Sequence, residues 1–419
     1  MPASNLISLD VAIRNIKSNF KKISNEDVFL QNSLGRCLAE PIYSKIDNPK
    51  YDVSSMDGYA INFKDFTELN SNNKNNSKKA INFKVIGESS AGNPFEKKIK
   101  NFEAVRIFTG AKVPRGCDVV IIQENVRTSS DQIYISTQSN IIKYQNIRKK
   151  GLDFKKGECI FNIGSLIKSR HLGSISMTGQ TWVTVTRKPV VSILSTGNEI
   201  LRVGEQLTKD QIPSGNNLMI AAMVTEFGGI PRILPITDDN ENNIYDILNK
   251  ALDSDLIVTT GGVSVGKYDL IQKALQNFKG KSQNEFWKIA MRPGKPLLFS
   301  IVDNTPLIGL PGNPVSSGVC SLIFVNVAIR SMLGVTEKYP IFEKVTLNGT
   351  LPINDERMDF VRAKIHIEDG NLLVTPINKQ DSSMITQFSY SDCLIARDPF
   401  EKAKNKGEIV KILRFPNNI

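Results

Sequence analysis

LIVTTGGVSVGKYD, Leu256 to Asp269, is the stretch on which the fold turns. Leu256–Thr260 is apolar or β-branched throughout, with no polar alternation, as expected of a strand covered on both faces. Gly261 and Gly262 then permit a tight turn and a close approach of backbone N–H groups to an anion. A helix is expected over Leu270–Asn277, and its N-terminal dipole would face the same anion. The segment lacks the G-K-S/T ending of a Walker loop. Taken alone, it is equally a tight β–α turn with no ligand.

The same alternation continues to either side. An apolar run, Val190–Leu194, leads into STGNE, followed by a helix over Asn217–Phe227 and a strand around Ile233–Ile236. A helix over Glu241–Leu252 precedes the central segment, and strands at Leu297–Ile301 and Leu307–Leu310 and a helix from Pro314 follow it. Alternating β and α elements predict a parallel, doubly wound sheet with helices on both faces. Around this α/β unit, residues 5–40 read as helical, with Ser8 as a cap. Residues 46–150 hold short β runs at Phe83–Ile86, Val105–Phe108, Val119–Gln123 and Ile133–Ile135. The polar stretch Leu69–Lys79 reads as a surface loop. After Pro340, runs at Lys344–Leu347, Val361–Ile367, Leu372–Pro376 and Ile409–Leu413 suggest a small β-barrel or sandwich.

Composition narrows the chemistry. The 419 residues suffice for two to four domains. The longest apolar run, Val319–Ile329, is too short for a bilayer and suits a buried helix. The N-terminal segment has no continuous apolar core, so a soluble, unexported protein is expected. Five singly scattered cysteines read as reduced cytoplasmic thiols. With only His171 and His366, a zinc site or histidine acid–base chemistry is not expected. The net charge of +11 is compatible with anionic small molecules, nucleic acid, a membrane surface, or simple lysine-rich composition. No Arg-rich run or nucleic-acid-type aromatic pattern occurs, so neither a nucleic-acid partner nor a membrane is expected.

In an open parallel sheet, ligands bind beyond the carboxyl ends of the strands. Polar loops fall at four such ends: Glu199; Asp238 with Asp239; Gly261–Asp269; and PGNP, Pro311–Pro314. Glu199, Asp238 and Asp269 form an acidic set suited to Mg²⁺, although one of the aspartate pair is expected to cap the next helix. Lys288, Arg292 and Lys295 fall within WKIAMRPGKP, where Pro293, Gly294 and Pro296 constrain the backbone, so these charges suit oxyanions. SSMDGYA, with Asp57, and RIFTGAKVP, with Thr109, read as turns.

SSMDGYA, RIFTGAKVP, STGNE, GGVSVGKYD, MRPGKP and GLPGNP, in that order, resemble the molybdopterin molybdenumtransferase family, which includes bacterial MoeA and the E domain of gephyrin. The resemblance covers essentially the whole chain. It implies four parts: residues 1–45 with 151–186, a helical and extended dimerisation domain; an inserted β domain, 46–150; an α/β molybdopterin-binding domain, 187–336; and a C-terminal β-barrel-like domain, 337–419. It implies Asp57, Thr109, Glu199, Asp238 and Asp269 as catalytic residues, with Asp269 and Glu199 holding Mg²⁺. As substrate-binding residues it implies Arg148, Asp153, Gly261, Gly262, Ser264, Lys288, Arg292, Lys295, Arg362 and Ser382. The implied reaction inserts molybdenum from molybdate into adenylylated molybdopterin with release of AMP. A cytoplasmic homodimer with a shared cleft follows from the resemblance, as does contact with the pathway's adenylyltransferase. The alternatives are that adenylyltransferase itself, which shares the α/β domain, or a non-catalytic scaffold. The chain departs from the family at Leu152, often Glu; at Arg292, Lys in some members; and at Asn198, commonly Asp.

Overall fold

The computed structural model of the chain describes residues 6–73, 80–206, 209–262, 270–278 and 282–416. The central apolar runs form one sheet in the order Ile230–Ile233, Val190–Ser195, Leu256–Thr260, Thr305–Leu310, Leu298–Val302, Ser282–Trp287. The first four strands are parallel, Leu298–Val302 runs antiparallel to its neighbour Thr305–Leu310, and the edge strand Ser282–Trp287 runs antiparallel to Leu298–Val302, returning to the direction of the first four. The wholly parallel sheet expected from the alternation is thus corrected to a mixed one. The cause is local. Asp303 and Asn304 connect two neighbouring strands with φ of 45° and 70°, the backbone of a two-residue hairpin turn. A connection that short cannot carry the crossover that parallel neighbours need. The edge strand Ser282–Trp287 was not anticipated, because Gln283, Asn284 and Glu285 interrupt any apolar pattern.

The doubly wound arrangement is present, since strand side chains alternate between two cores. Val191, Ile193, Leu256 and Val258 pack with Ile220, Val224 and the helix starting at Pro314. Leu194 and Ile257 pack on the other face with Ile244, Leu248 and Ile271. The helical run Pro314–Leu333 contains a π turn at Ser321–Val325, and 89% of its most apolar 18 residues are buried. Its mean hydropathy of 1.5 is therefore explained by packing inside the protein.

The helix Glu241–Lys250 is capped by Asn240, whose side chain accepts from the N–H groups of Asn242 and Asn243. The expectation that Asp238 or Asp239 caps it is corrected, and neither carboxylate is spent on that task. At the N-terminus, Ser8 caps a helix that ends at Asn19, well short of the expected residue 40. The run Asn25–Phe29 has no helical stripe and pairs antiparallel with Trp182–Thr186. Ala12, Ile13 and Ile16 pack into the α/β core.

In the inserted region the strand order is Val119–Ile122, Gly58–Ile61, Glu103–Ile107, Ala80–Ser89, Gln132–Ser136, Val126–Ser129. The loop expected over Leu69–Lys79 is helical as far as Asn73, the end of a helix that begins at Phe63 and is anchored by buried Phe66; residues 74–79 lie outside the described residues. In the C-terminal region, Met358–Glu368 pairs with both Asn371–Pro376 and Cys393–Arg397, which closes a five-stranded barrel with Glu343–Leu347 and Ile409–Arg414. Closure leaves these strands no free edge.

Asn240→Ala should lower stability by about 1 kcal/mol. Urea unfolding followed by circular dichroism should show a lower midpoint at unchanged slope; an unchanged midpoint would mean that solvent satisfies those N–H groups equally well.

Candidate active site

The site follows from strand order. Val190–Ser195 has the next strand in sequence, Ile230–Ile233, on one side and Leu256–Thr260 on the other. Connections leave in opposite directions at that point and open a crevice beyond the strand ends. Gly261, which lines this crevice, and Gly262 turn the chain at the end of Leu256–Thr260 with φ of +87° and +66°. A Cβ on Gly261 would lie 2.5 Å from the Thr196 carbonyl oxygen, and one on Gly262 would lie 2.8 Å from Thr196 Oγ1. Both positions therefore need glycine for space as well as for φ. Asn216 Nδ2 donates to Thr260 Oγ1 (3.0 Å) and to the Gly312 carbonyl (2.7 Å), which ties three loops together.

The resulting cavity, about 910 Å³, is lined on its polar side by Ser195, Thr196, Glu199, Gly261, Gly312 and Asn313. Met219, Met223 and Phe388 form an apolar wall. The volume suits a cofactor-sized organic molecule. The Ser195 and Thr196 hydroxyls are buried and have no hydrogen-bond partner among the described residues. Such groups are costly unless a ligand satisfies them.

Glu199 is exposed at the rim of this cavity. Asp238 lines a smaller adjoining cavity of about 340 Å³ with Gly197, Asn198 and Arg202. Its carboxylate accepts from Asn243 Nδ2 (2.7 Å). The Asp239 N–H donates to Asn198 Oδ1 (3.1 Å). Burial pushes the Asp239 carboxyl up, and repulsion from Glu199 and Asp238 adds to the effect. The three acids therefore share one electrostatic field. Among the described residues, no three Asp, Glu, His or Cys side chains stand in metal-holding proximity. Ser264 and Asp269 lie outside the described residues, so GGVSVGKYD is seen only as far as Gly262.

A second cavity, about 940 Å³, lies between the α/β unit and the barrel and is lined by Arg292, Lys295, Arg362 and Ser382. Its charges differ in availability. Arg292 donates to Asp359 at both ends (3.2 and 2.7 Å), to Asp355 (3.1 Å) and to Asn354 (3.5 Å). With most of its five N–H groups so engaged, it fastens MRPGKP to the barrel more than it offers donors. Lys295 is exposed and makes no ion pair among the described residues. Arg362 is only 1% exposed. Its guanidinium donates to Gln380 Oε1 (3.1 Å) and to the carbonyls of Lys379 (3.3 Å) and Met384 (3.4 Å), with no carboxylate in ion-pair reach among the described residues. A buried cation held only by neutral oxygens favours an anion beside it. Lys288, at φ 98°, lines neither cavity; its backbone bonds to Leu297 and Ile7.

In the inserted domain, Asp57 Oδ1 accepts from both the N–H (2.7 Å) and the hydroxyl (2.9 Å) of Thr109. The backbone bond, then the hydroxyl, holds the Asp57 carboxyl below its ordinary value. Arg148 is exposed on a short strand pairing with Val53–Ser54, and Asp153 accepts from Asn48 Nδ2 (3.0 Å). None of these four lines either cavity of the single chain. The fold thus brings Asp57 to Thr109, Glu199 to Gly261, and Lys295 to Arg362 and Ser382, but leaves the first pair apart from the others. Sequence reading missed Asn216 and the Ser195 and Thr196 hydroxyls; SGNN at a helix start was the available sign for the first.

Three family regions match along the chain: "MoeA N-terminal region (domain I and II)" over residues 7–179, "Probable molybdopterin binding domain" over 192–331, and "MoeA C-terminal region (domain IV)" over 344–415. The molybdopterin molybdenumtransferase of Haemophilus influenzae is 34% identical over 392 residues, 92% of this chain and 93% of the relative. That of Staphylococcus epidermidis is 30% identical over 413 residues, covering 98% and 96%. The crystal structure of the molybdopterin biosynthesis protein MoeA from Pyrococcus horikoshii OT3 superposes with a TM-score of 0.82 at 27% identity, covering 98% of this chain and 100% of that one.

Because the folded Asp239 carboxyl is raised, it holds its proton to higher pH than the unfolded chain does. Its contribution to stability is fully present below the ordinary aspartate value and lost as pH rises through the folded one. Asp239→Asn should therefore raise the unfolding temperature at about pH 7 relative to wild type, and the gain should vanish below about pH 3.9. A gain that is independent of pH would locate the effect in packing instead of charge.

Proposed function

This chain belongs to the molybdopterin molybdenumtransferase family, and from that membership we propose that it inserts molybdenum from molybdate into adenylylated molybdopterin with release of AMP. The observation that carries the reading is the pair of adjoining cavities, one lined by backbone glycines and by hydroxyls with no partner among the described residues, the other by Lys295 and buried Arg362. A reaction that unites a phosphorylated pterin with an oxyanion needs two anion sites side by side. The adenylyltransferase and scaffold alternatives are not favoured.

Gly261, Gly262 and the Ser195 and Thr196 hydroxyls cradle the pterin's phosphate groups, while Met219, Met223 and Phe388 cover apolar surface. Glu199 with Asp269 would hold Mg²⁺, which would supply positive charge toward the phosphoanhydride. Asp238, which no helix cap claims, stays available beside them. Lys295, Arg362 and Ser382 hold molybdate, with Arg292 bracing the loop that carries Lys295. Preorganised cations keep the oxyanion near the dithiolene while AMP departs.

Asp57, Thr109, Arg148 and Asp153 complete the cleft from the inserted domain of a second copy, so the active form is a homodimer. Contact with the pathway's adenylyltransferase would hand over the labile adenylylated substrate, and the reaction takes place in the cytoplasm.

Incubation with adenylylated molybdopterin, Mg²⁺ and molybdate should yield AMP and active cofactor; absence of both overturns the reading. Mixed Asp57→Ala and Glu199→Ala chains should regain part of the activity that each lacks alone. A fully active monomer in sedimentation would exclude the shared cleft. Arg362→Ala should raise the molybdate concentration for half-maximal insertion roughly ten- to a hundredfold, since a charge-assisted bond contributes about 1.5–3 kcal/mol. Identical titrations would make Arg362 a structural residue of the barrel.

A further inference from the structure

We propose that Asn313 is a positioning residue that fixes the Ser382 hydroxyl as a donor into the oxyanion cavity and thereby couples it to the pterin cavity. The inference rests on the reading of the second cavity as the molybdate site. The two cavities share a wall. Asn313, Pro314 and Ser383 line the first, and Ser316, Asp381 and Ser382 line the second. The wall is the turn around Ser382 laid against the start of the helix at Pro314.

Asn313 occupies the N-cap position of that helix, yet its side chain makes no capping bond. An asparagine there ordinarily accepts from the N–H groups of the first turn. Here the carbonyl of Ser382 takes over part of that work, accepting the Val315 N–H at 3.1 Å. The Asn313 side chain instead crosses the wall, and its Nδ2 donates to Ser382 Oγ at 3.0 Å.

The proton inventory then has one outcome. A serine hydroxyl has one proton and two lone pairs. With Asn313 donating to a lone pair, the Ser382 proton stays free to donate, and no described residue accepts it. The next residue, Ser383, cannot substitute, because its N–H and hydroxyl both go to Asp381 Oδ1 (2.8 and 2.6 Å). The same turn is tied to the oxyanion cation, since Arg362 Nη1 donates to the Met384 carbonyl at 3.4 Å. An anion held by Arg362 and Ser382 therefore pulls on the wall from one side, while a ligand touching Asn313 pulls from the other. Asn313 acts on molybdate only through Ser382.

The test is a molybdate titration of cofactor formation, with adenylylated molybdopterin and Mg²⁺, for the full-length protein and for Asn313→Ala, Asn313→Asp, Ser382→Ala and Asn313→Ala/Ser382→Ala. Asn313→Ala should raise the half-saturating molybdate concentration about five- to tenfold, the worth of one lost neutral hydrogen bond. Asn313→Asp is nearly isosteric, but its carboxylate would accept the Ser382 proton and add a negative charge beside the anion. It should therefore be worse than Asn313→Ala. The double variant should be no worse than Ser382→Ala alone, as expected for residues acting as a unit. Additive losses, or an Asn313→Asp variant nearer wild type than Asn313→Ala, would overturn the proposal. Thermal unfolding of each variant checks the fold; if Asn313→Ala does not fold, the comparison of Asn313→Asp with wild type decides, an unchanged titration being fatal. If the wild-type protein itself gives no molybdate-dependent product, the functional reading fails and the inference falls with it, a result distinct from a working enzyme with the wrong variant pattern.

Discussion

The burial of Leu256–Thr260 on both faces is the constraint on which the rest depends. A strand with no solvent face must have a neighbour on each side and a helical layer above and below. Val190–Ser195 and Thr305–Leu310 fill the neighbouring positions, and the two hydrophobic cores fill the layers. Once those strands are parallel and adjacent, STGNE, Gly261–Gly262 and PGNP must emerge at the same end. The close contact of both glycines with Thr196 follows from that geometry.

Around this end the polypeptide separates two electrostatic environments. The strand-end cavity is polar through backbone and hydroxyl groups, with acids at its rim. The cavity beside the barrel is cationic, but its cations differ in role. Arg292 is matched to Asp359 and Asp355 and holds the loop in place, whereas Arg362 is buried among carbonyls. Identical formal charges thus do different work, and only their partners distinguish them. Gly294, at φ +110°, presses the loop against Cys320 on the long buried helix, so the position of Lys295 is set by core packing.

Much of the α/β unit was legible in the sequence, because continuous apolar strands and capped helices carry local signals. Leu256–Thr260 is a strand over the residues expected, and the helices at Asn216 and Glu241 begin within a residue of expectation. The failures have equally physical causes. Ser282–Trp287 is an edge strand whose polar residues hide its period. Asp303–Asn304 is a hairpin turn that reverses the sheet's direction. Asn25–Phe29 pairs with Trp182–Thr186, 150 or so residues away, and so has no signal in its own neighbourhood. Cys393–Arg397, which closes the barrel, is another long-range pairing of the same kind.

The sequence by itself determined which residue types stand at the strand ends and that the motifs are those of one family. It did so because glycines that need positive φ, prolines and capping residues act over a few positions. Tertiary structure alone decided that Asn240, and neither Asp238 nor Asp239, caps the helix, and that Arg292 is spent on two aspartates. It alone separated the strand-end crevice from the cationic cavity beside the barrel and placed the Asn313–Ser382 bond in the wall between them. Those outcomes depend on which distant groups meet, and hydrogen-bond donors and charges reveal their role only when their partners are in place.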